Sequence, residues 1–176
     1  QASGAKRVLT VSLHNQATVS AFGGVLVDNI SSSFLFAPIL KEIYEEENFF
    51  VLSPDAGGVL RAKAYANRFG ANLGFVYKIR PEDNKCDTLA FVGDVKDKNV
   101  VIIDDMVDTG GTHIKCAEAA KNRGAKRITL VVTHPILSTN RKTGVSAIDA
   151  ILKSPIDKVI TSDSIYHENL PSIFQV

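Results

Sequence analysis

Apolar residues fall along the chain in two alternating patterns. Short continuous runs rich in Val, Ile, Leu and Phe are typical of strands that are buried on both faces of a parallel sheet. Between these runs, apolar residues recur every three or four positions, a spacing typical of helices that pack one face on such a sheet. The pattern predicts strands over residues 8–13, 49–52, 73–77, 100–103, 128–132, 158–161 and 172–176.

The helical segments complete an α/β pattern. Their periodicity predicts helices over residues 37–47, 59–69, 113–123 and 143–152. Gly70 and Gly124 directly follow two of these segments, where glycine commonly ends a helix. The alternation of strands and helices predicts an α/β fold with a doubly wound, mostly parallel sheet. Ligands of such sheets bind at the carboxyl ends of the strands, near the reversal in strand order.

Polar loops that follow strands are therefore the places where we expect a site. Segments without apolar periodicity are predicted as loops or turns: one through Gly23, Gly24 and Asp28, then residues 53–58, 78–87 and 104–112. Residues 1–7 are predicted as the last turn of a helix that Gly4 ends. Because no initiator Met precedes them, we expect the chain to begin in the middle of a fold.

Composition and charge argue against several classes of protein. The 176 residues carry 20 basic and 19 acidic side chains, and this net charge of +1 argues against binding nucleic acid or a membrane surface through bulk positive charge. Hydrophobic residues at 45% and charged residues at 22% are ordinary for a globular chain. No apolar run reaches the length of a membrane span. Cys86 and Cys116 are too few for a disulfide framework, which suits a reducing compartment, and we expect a cytoplasmic protein.

The strongest candidate site follows the predicted strand 100–103. Two adjacent carboxylates, Asp104 and Asp105, come first, and Thr-Gly-Gly-Thr at 109–112 then opens a helix. This segment can wrap a phosphate with backbone N–H groups and hydroxyls, and a helix N-terminus adds partial positive charge. The carboxylates can accept hydrogen bonds from vicinal hydroxyls, so the whole describes a site for a pentose 5-phosphate. The alternative is a strand–turn–helix whose threonine caps the helix and binds no ligand.

An apolar run, two acids and Asp-Thr-Gly-Gly-Thr at 108–112 resemble the phosphoribosyl pyrophosphate signature. Type I phosphoribosyltransferases and ribose-phosphate pyrophosphokinases share that signature. Other motifs resemble the pyrophosphokinases: Ser-Leu-His at 12–14, Val-Asp-Asn at 27–29, Ser-Pro-Asp-Ala-Gly-Gly at 53–58, Lys-Ile-Arg-Pro at 78–81 and Val-Gly-Asp-Val at 92–95. The resemblance runs over about residues 2–176, and several ordered motifs together are more specific than any one of them.

This resemblance implies a reaction, a cofactor and partners. The implied reaction transfers the diphosphoryl group of ATP to the anomeric hydroxyl of ribose 5-phosphate, giving phosphoribosyl pyrophosphate and AMP. Mg²⁺ is the implied cofactor, because the transferred group is highly anionic. The implied partners are ATP, ribose 5-phosphate and further copies of the chain, since the family forms homo-oligomers built as hexamers.

The same resemblance assigns roles to residues. The expected ribose 5-phosphate site consists of Asp104, Asp105, Asp108, Thr109, Gly110, Gly111 and Thr112. The expected pyrophosphate and ATP site consists of Asp55, Ala56, Gly57, Gly58 and His14. Lys78 and Arg80 are expected to be catalytic cations on a loop that closes over the phosphates. The expected metal ligands are His14, Asp28 and Asp55, whereas His113, His134 and His167 are expected to be structural or surface residues.

The chain departs from the family pattern in two ways. The family has Asp before Leu-His, where this chain has the neutral Ser12, and Gly23-Gly24 lie where a second family Asp is expected. The family's chain is also much longer, with an N-terminal half that supplies the adenine pocket. We therefore interpret residues 1–30 as the tail of a truncated N-terminal domain and residues 31–176 as a phosphoribosyltransferase-like domain. We expect this chain alone to bind ribose 5-phosphate or anions and to have little or no synthetase activity.

Two other functions stay open at this point. A non-catalytic regulatory subunit of the same family is favoured by Ser12 and by the missing loop Asp. The intact segment 104–112 counts against it, because a subunit without activity has no need of that segment. A type I phosphoribosyltransferase shares only this segment, and the sequence contains no clear base-binding hood.

Overall fold

The computed structural model describes residues 3–44, 49–79 and 88–176. Its centre is formed by two nine-residue strands, β6 (Asn99–Val107) and β7 (Arg127–Pro135), which pair in parallel. Most of their side chains are buried, as expected for apolar strands with a layer of helices on each face.

The two central strands belong to a sheet of seven strands in the described part of the chain. The other strands are β3 (Phe49–Ser53), β4 (Asn72–Ile79), β5 (Thr88–Val92), β8 (Lys158–Thr161) and β9 (Phe174–Gln175). Their order is β5-β4-β3-β6-β7-β8-β9, and every neighbouring pair is parallel except β4 and β5. The chain thus runs outward from β3 to β5 and then returns to the other side of β3, so the strand order reverses between β3 and β6.

Helices cover both faces of this sheet. Helices α1 (Ser33–Tyr44) and α2 (Val59–Phe69) pack on one face, and α3 (Gly111–Lys121) and α4 (Ala147–Leu152) pack on the other. Because side chains alternate along a strand, Val101 and Ile103 belong to the first core, and Val100 and Ile102 belong to the second. The predicted doubly wound, mostly parallel sheet is therefore confirmed.

A smaller parallel sheet precedes the large one. It consists of β1 (Arg7–Val11) and β2 (Leu26–Ile30), joined across a 3-10 helix over Gln16–Phe22. His134 and Ser32 attach it to the rest of the fold, since His134 Nε2 lies 3.1 Å from the Val11 carbonyl oxygen and the Ser32 amide donates to Ser12 Oγ at 3.1 Å. The assignment of residues 1–30 to a separate domain stays a prediction.

Several boundaries differ from those predicted. The segment through Gly23, Gly24 and Asp28 is predicted as loop, but it contains β2. Polar residues within this short strand interrupt its apolar pattern, so the pattern does not predict a strand. Antiparallel β5 was not predicted. Strand β1 ends at Val11, because Ser12 has a positive φ of 48° and leaves the sheet. Gly4 has the expected left-handed φ of 81°, but Arg7 already opens β1, and residues 1–2 lie outside the described part.

The helices also differ from prediction at their first residues. Helix α1 begins at Ser33 rather than at residue 37, and Pro38 lies inside it. Helix α4 begins at Ala147 rather than at residue 143, because the Ser146 hydroxyl caps it by accepting a hydrogen bond from the Asp149 amide at 3.0 Å. Among the described residues, no helix combines the length and the apolarity that crossing a bilayer requires.

Candidate functional site

Two loops meet where the strand order reverses. Strand β3 ends at Ser53 and leads into α2, and β6 ends at Val107 and leads into α3. We refer to residues 53–58 as the first loop and to residues 108–112 as the second loop. Because β3 and β6 are parallel neighbours, both loops and both helix N-termini lie at the same edge of the sheet.

The second loop presents an open helix N-terminus. Gly110 precedes α3 with a left-handed φ of 77°, and no side chain of the described residues caps this end of the helix. A Cβ atom built on Gly111 would have no neighbour within 4 Å, so the space beside this residue is open. That space is part of a cavity of about 770 Å³, which Asp55, Thr109, Gly111, Thr112 and Lys115 help to line. Uncapped amides and the helix dipole make this end of α3 a favourable place for a phosphate.

The first loop is closed on itself. The Asp55 carboxylate accepts a hydrogen bond from the Gly58 amide at 2.8 Å, and the Ser53 hydroxyl donates to the Asp55 carbonyl oxygen at 2.7 Å. A Cβ atom on Gly58 would lie 2.8 Å from Ser53 Oγ, so only glycine fits there without a shift. Ala56 and Gly57 complete the turn, and Gly57 lines a cavity of about 300 Å³ together with Asp55 and Asp104.

The two acids of the signature lie in strand β6, not in the predicted loop. The strand continues to Val107 because Asp104 and Met106 still pair with β7. Since successive side chains of a strand point to opposite faces, Asp104 faces the α3 layer and Asp105 faces the α2 layer. Their exposure differs accordingly: 13% of the Asp104 side chain is exposed, but only 1% of the Asp105 side chain.

Arg61 joins the two carboxylates across the end of the strand. Its Nη1 donates to Asp104 Oδ1 at 2.8 Å, and its Nη2 lies 3.0 Å from Asp105 Oδ2. Arg61 is not among the residues predicted from the sequence. A signal was present, because Arg61 is the third residue of α2, and a cation in the first turn of a helix is disfavoured by the helix dipole. An arginine in that position therefore indicates an anionic partner nearby.

Two histidines complete the charged group, which we call the acid cluster: His14, Arg61, Asp104, Asp105 and His113. His14 Nδ1 lies 2.8 Å from Asp105 Oδ2, so this residue links the small sheet to the large one. His113 Nε2 lies 2.9 Å from Asp104 Oδ2. The expectation that His113 is a structural or surface residue therefore missed its contact with an acid of the signature.

The acid cluster keeps Asp104 ionised. Burial raises the pKa of the Asp104 carboxyl group, but the hydrogen bonds from His113 and the Asp105 amide and the charge of Arg61 together outweigh this effect. The pKa of Asp104 is therefore lower than its ordinary value. An ionised Asp104 is an acceptor, as the hydroxyl groups of a sugar require.

The residues expected to bind metal are only partly gathered, since His14 and Asp55 line the same cavity of about 300 Å³ and Asp28 lies apart from them. Asp28 forms an ion pair with Arg7 on the exposed face of the small sheet. Within residues 3–44, 49–79 and 88–176, no three His, Cys, Asp or Glu side chains form a group that could hold a metal ion. Asp55, which lines both cavities beside the loops, fits Mg²⁺, since this ion is commonly bound through one or two carboxylates and the phosphates of a substrate. The His14 imidazole fits poorly, because Mg²⁺ prefers oxygen ligands.

Only one of the two expected catalytic cations lies within the described residues. Lys78 belongs to β4, at the carboxyl end of that strand. Arg80 lies outside the described residues. Their catalytic role stays a prediction, as does the loop that carries Arg80.

A doubly wound sheet with an uncapped helix N-terminus and two acids at the reversal in strand order has the arrangement of a phosphoribosyltransferase-like α/β domain. The model of the phosphoribosyl transferase domain family matches residues 27–164, and the chain belongs to this family.

Curated relatives are ribose-phosphate pyrophosphokinases. The chain is 41% identical over 175 residues to the one from Thermosipho africanus and 43% identical over 176 residues to the one from Thermotoga maritima. In each case the match covers 99% of this chain, but 53% and 54% of the relative. The chain thus spans about half the length of these relatives. The predicted resemblance to this group is confirmed.

Solved structures agree with the fold. The phosphoribosylpyrophosphate synthetase of Mycobacterium smegmatis superimposes with a TM-score of 0.85 at 29% identity, over 99% of this chain and 55% of that one. A purine phosphoribosyltransferase of Pyrococcus horikoshii superimposes with a TM-score of 0.50 at 25% identity, over 74% of this chain and 78% of that one. The synthetase thus matches nearly the whole chain, including the small sheet, whereas the transferase matches less of it.

Proposed function

We propose that this chain forms the ribose 5-phosphate-binding and diphosphate-binding half of a ribose-phosphate pyrophosphokinase. The observation that carries the proposal is the uncapped N-terminus of α3 beside the ionised Asp104, at the reversal in strand order. Relatives at 41% and 43% identity that bear the name ribose-phosphate pyrophosphokinase support the same reaction.

The 5-phosphate is proposed to bind the second loop. The amides of Gly110, Gly111 and Thr112 donate to its oxygens, with the hydroxyls of Thr109 and Thr112 beside them. This arrangement balances the phosphate charge with backbone dipoles rather than with a cluster of cations. It agrees with a chain whose net charge is only +1.

The ribose is proposed to bind beside Asp104. This acid is 13% exposed and lines the cavity of about 300 Å³, so a hydroxyl can reach it. Asp105 is 1% exposed, which suits an anchor for Arg61 and His14 more than a direct contact with sugar. The sequence predicts that both acids contact the sugar, whereas in the structure Asp104 is the better placed of the two to do so.

The diphosphate is proposed to bind across the first loop. Asp55 lines the cavity of about 300 Å³ together with Gly57, Gly58 and Asp104, and it also lines the cavity of about 770 Å³ beside the second loop, so it is within reach of both parts of the proposed ligand. Mg²⁺, when bound, neutralises charge on the phosphates, and Asp55 is the residue of this chain that would hold it. Lys78 and Arg80 are proposed to supply the remaining positive charge.

The proposed reaction balances without a further reactant. The anomeric oxygen of ribose 5-phosphate attacks the β-phosphorus of ATP and loses its proton, and the bond between the β-phosphorus and the oxygen bridging it to the α-phosphorus breaks. The products are phosphoribosyl pyrophosphate and AMP. The chain contributes positioning and charge complementarity, which are the main sources of catalysis in phosphoryl transfer.

Isothermal titration calorimetry with ribose 5-phosphate tests the binding proposal. We expect a 1:1 complex that is tighter than those with ribose or inorganic phosphate alone, because both ends of the ligand contribute. Equal affinity for inorganic phosphate and ribose 5-phosphate would contradict the sugar site.

An assay of AMP release from ATP, Mg²⁺ and ribose 5-phosphate tests the activity of the chain. We expect little or no turnover by this chain alone. Turnover equal to that of an intact pyrophosphokinase would contradict it.

A non-catalytic regulatory subunit is the second candidate, and Ser12 favours it. This residue, where the family has Asp, is buried and accepts the Ser32 amide, so it offers no charge to a metal or nucleotide. Replacing it by Asp (S12D) in the full-length protein separates the candidates. Activity that is present only in the variant would favour the regulatory subunit, and activity already present in the parent would favour the enzyme.

A further inference from the structure

His113 is a polar residue in an apolar position. It lies in the first turn of α3, only 5% exposed, between the helix and the strand that carries Asp104. Its Nε2 contacts Asp104 Oδ2 at 2.9 Å, but its Nδ1 is buried and has no hydrogen-bond partner among the described residues. Buried polar atoms without partners are rare in folded proteins, because nothing replaces the water they lose.

An apolar residue of similar size would fill this position without leaving a nitrogen unpaired. The imidazole is therefore poorly explained by packing alone. What it does provide is one hydrogen bond, from Nε2 to the more exposed of the two signature acids. The contact favours the tautomer with its proton on Nε2, because a carboxylate can only accept and an Nδ1–H would be a buried donor without an acceptor.

The remaining acceptors of Asp104 can be counted. A carboxylate has about four acceptor positions, two on each oxygen. Oδ1 accepts from Arg61 Nη1 at 2.8 Å and from the Asp105 amide at 2.9 Å, which uses both of its positions. Oδ2 accepts from His113, so one position of this oxygen is left. His113 thereby fixes where the last free acceptor of Asp104 points.

We propose that His113 is a positioning residue that holds Asp104 so that its remaining acceptor receives a hydroxyl of the ribose ring. This inference rests on the proposed function and adds a residue that acts on sugar binding through Asp104, without contacting the sugar itself. It separates two parts of the ligand: the second loop binds the phosphate, and the pair His113–Asp104 confers preference for a phosphate that carries a sugar.

Two variants of His113 test the inference in this chain. His113→Leu keeps the volume and removes the hydrogen bond, and we expect affinity for ribose 5-phosphate to fall about tenfold or more while affinity for inorganic phosphate changes by less than about twofold. His113→Gln retains an N–H donor near the position of Nε2 and is expected to restore ribose 5-phosphate affinity to within about threefold of the parent. Ile128→Val, a buried change at the amino end of β7, is the control for a loss of stability without a change at the site.

Calorimetry on the parent chain, the two His113 variants and the control distinguishes the outcomes. Equal loss for both ligands, or no rescue by Gln, would show that His113 acts only through the fold and would overturn the inference. Unchanged binding by the Leu variant would overturn it as well. A parent chain that binds phosphate but shows no preference for ribose 5-phosphate would overturn the proposed function and this inference with it.

The tautomer gives a test that needs no variant to fold. Long-range ¹H–¹⁵N spectra of the free parent chain report which ring nitrogen of His113 carries a proton. We expect a proton on Nε2 and an unprotonated Nδ1. A proton on Nδ1 alone would leave Nε2 unable to donate to Asp104, and the inference would be wrong even if ribose 5-phosphate binds.

Discussion

The two loops at the reversal in strand order are built alike, but the hydrogen bonds of their backbone amides differ. Each follows a parallel strand, contains two adjacent glycines and leads into a helix. Among the described residues no side chain caps either helix, but in the first loop the Asp55 carboxylate accepts a hydrogen bond from the Gly58 amide, and no such internal bond closes the second loop. The second loop is thus ready for an anion, but the first must exchange an internal hydrogen bond to bind one.

This difference suggests an order of binding. A phosphate that meets uncapped amides displaces only water, so the second loop is expected to bind its ligand without rearrangement. A diphosphate at the first loop competes with the Asp55 carboxylate, whose charge repels it. Metal bound to Asp55 would relieve that repulsion, and the first loop is therefore expected to depend on Mg²⁺ more than the second.

The glycines of the two loops differ in whether the fold itself requires a residue without a side chain. A side chain on Gly58 would collide with Ser53 inside the loop, and Gly110 needs its left-handed conformation. Gly111 has neither constraint, because space beside it is open. We therefore expect glycine at 58 and 110 to be required by the fold, and the absence of a side chain at Gly111 to leave room for the proposed phosphate.

Removing Arg61 is the largest change that we expect, since it joins the acids between the loops. Arg61→Met leaves Asp104 and Asp105 buried without their shared cation, and we expect the free energy of unfolding to fall by about 3 kcal/mol. Urea denaturation at pH 7 measures this. Arg68→Met is the matched control on the same helix, because Arg68 contacts the exposed Phe34 ring and Ser33, and a loss of less than about 1 kcal/mol is expected. Similar losses for both variants would contradict the central position of Arg61.

Alanine at the two glycines of the second loop separates fold from ligand. Gly110→Ala places a side chain in a left-handed conformation and is expected to lower the free energy of unfolding by about 1–2 kcal/mol. Gly111→Ala is expected to leave stability within about 0.5 kcal/mol, because its methyl group meets no protein atom, and to weaken ribose 5-phosphate binding about tenfold by filling the space of the phosphate. Thermal denaturation and calorimetry measure the two effects. Normal binding by Gly111→Ala would place the phosphate elsewhere.

Acid is expected to destabilise the chain partly through Asp104. Its pKa is lowered in the folded state, because His113, the Asp105 amide and Arg61 outweigh the effect of burial. A carboxyl group whose pKa is lower in the folded than in the unfolded state stabilises the folded chain at pH values above its unfolded pKa of about 3.9. This stabilisation is lost as the pH falls through the folded pKa. Urea midpoints measured from pH 7 down to pH 2 should therefore decline less steeply in Asp104→Asn than in the parent. Parallel curves would mean that Asp104 is not stabilised in its ionised form.

Neutralising Asp55 is expected to have the smallest effect on stability. Asp55→Asn keeps an oxygen that can accept the Gly58 amide, so the free energy of unfolding should change by less than about 0.5 kcal/mol. Without Mg²⁺ the variant should bind pyrophosphate more tightly, since a repelling charge is gone. With Mg²⁺ it should bind less tightly than the parent. If Mg²⁺ strengthens pyrophosphate binding equally in both proteins, Asp55 does not hold the metal.

Residues adjacent in sequence were the easiest part of the site to predict. The acids, the glycines and the threonines of residues 104–112 form a contiguous motif, and their position after an apolar run identified them. Arg61 and His113 had no such motif. Arg61 is 43 residues from Asp104 in sequence and His113 is nine residues from it, and each gains its role only through the contact that the fold provides.

The sequence alone determined the class of fold and the edge of the sheet where the site lies. Continuous apolar strands must be covered on both faces, and the polar residues after them must then collect at one edge, whatever the detailed packing. Tertiary structure decided how the acids are used. The pleat of β6 directs Asp104 and Asp105 to opposite faces. Arg61 of α2 contacts both acids, His113 of α3 contacts Asp104, and His14, from the small sheet's end, contacts Asp105. Such contacts depend on the distance between elements far apart in the chain, which local periodicity does not encode.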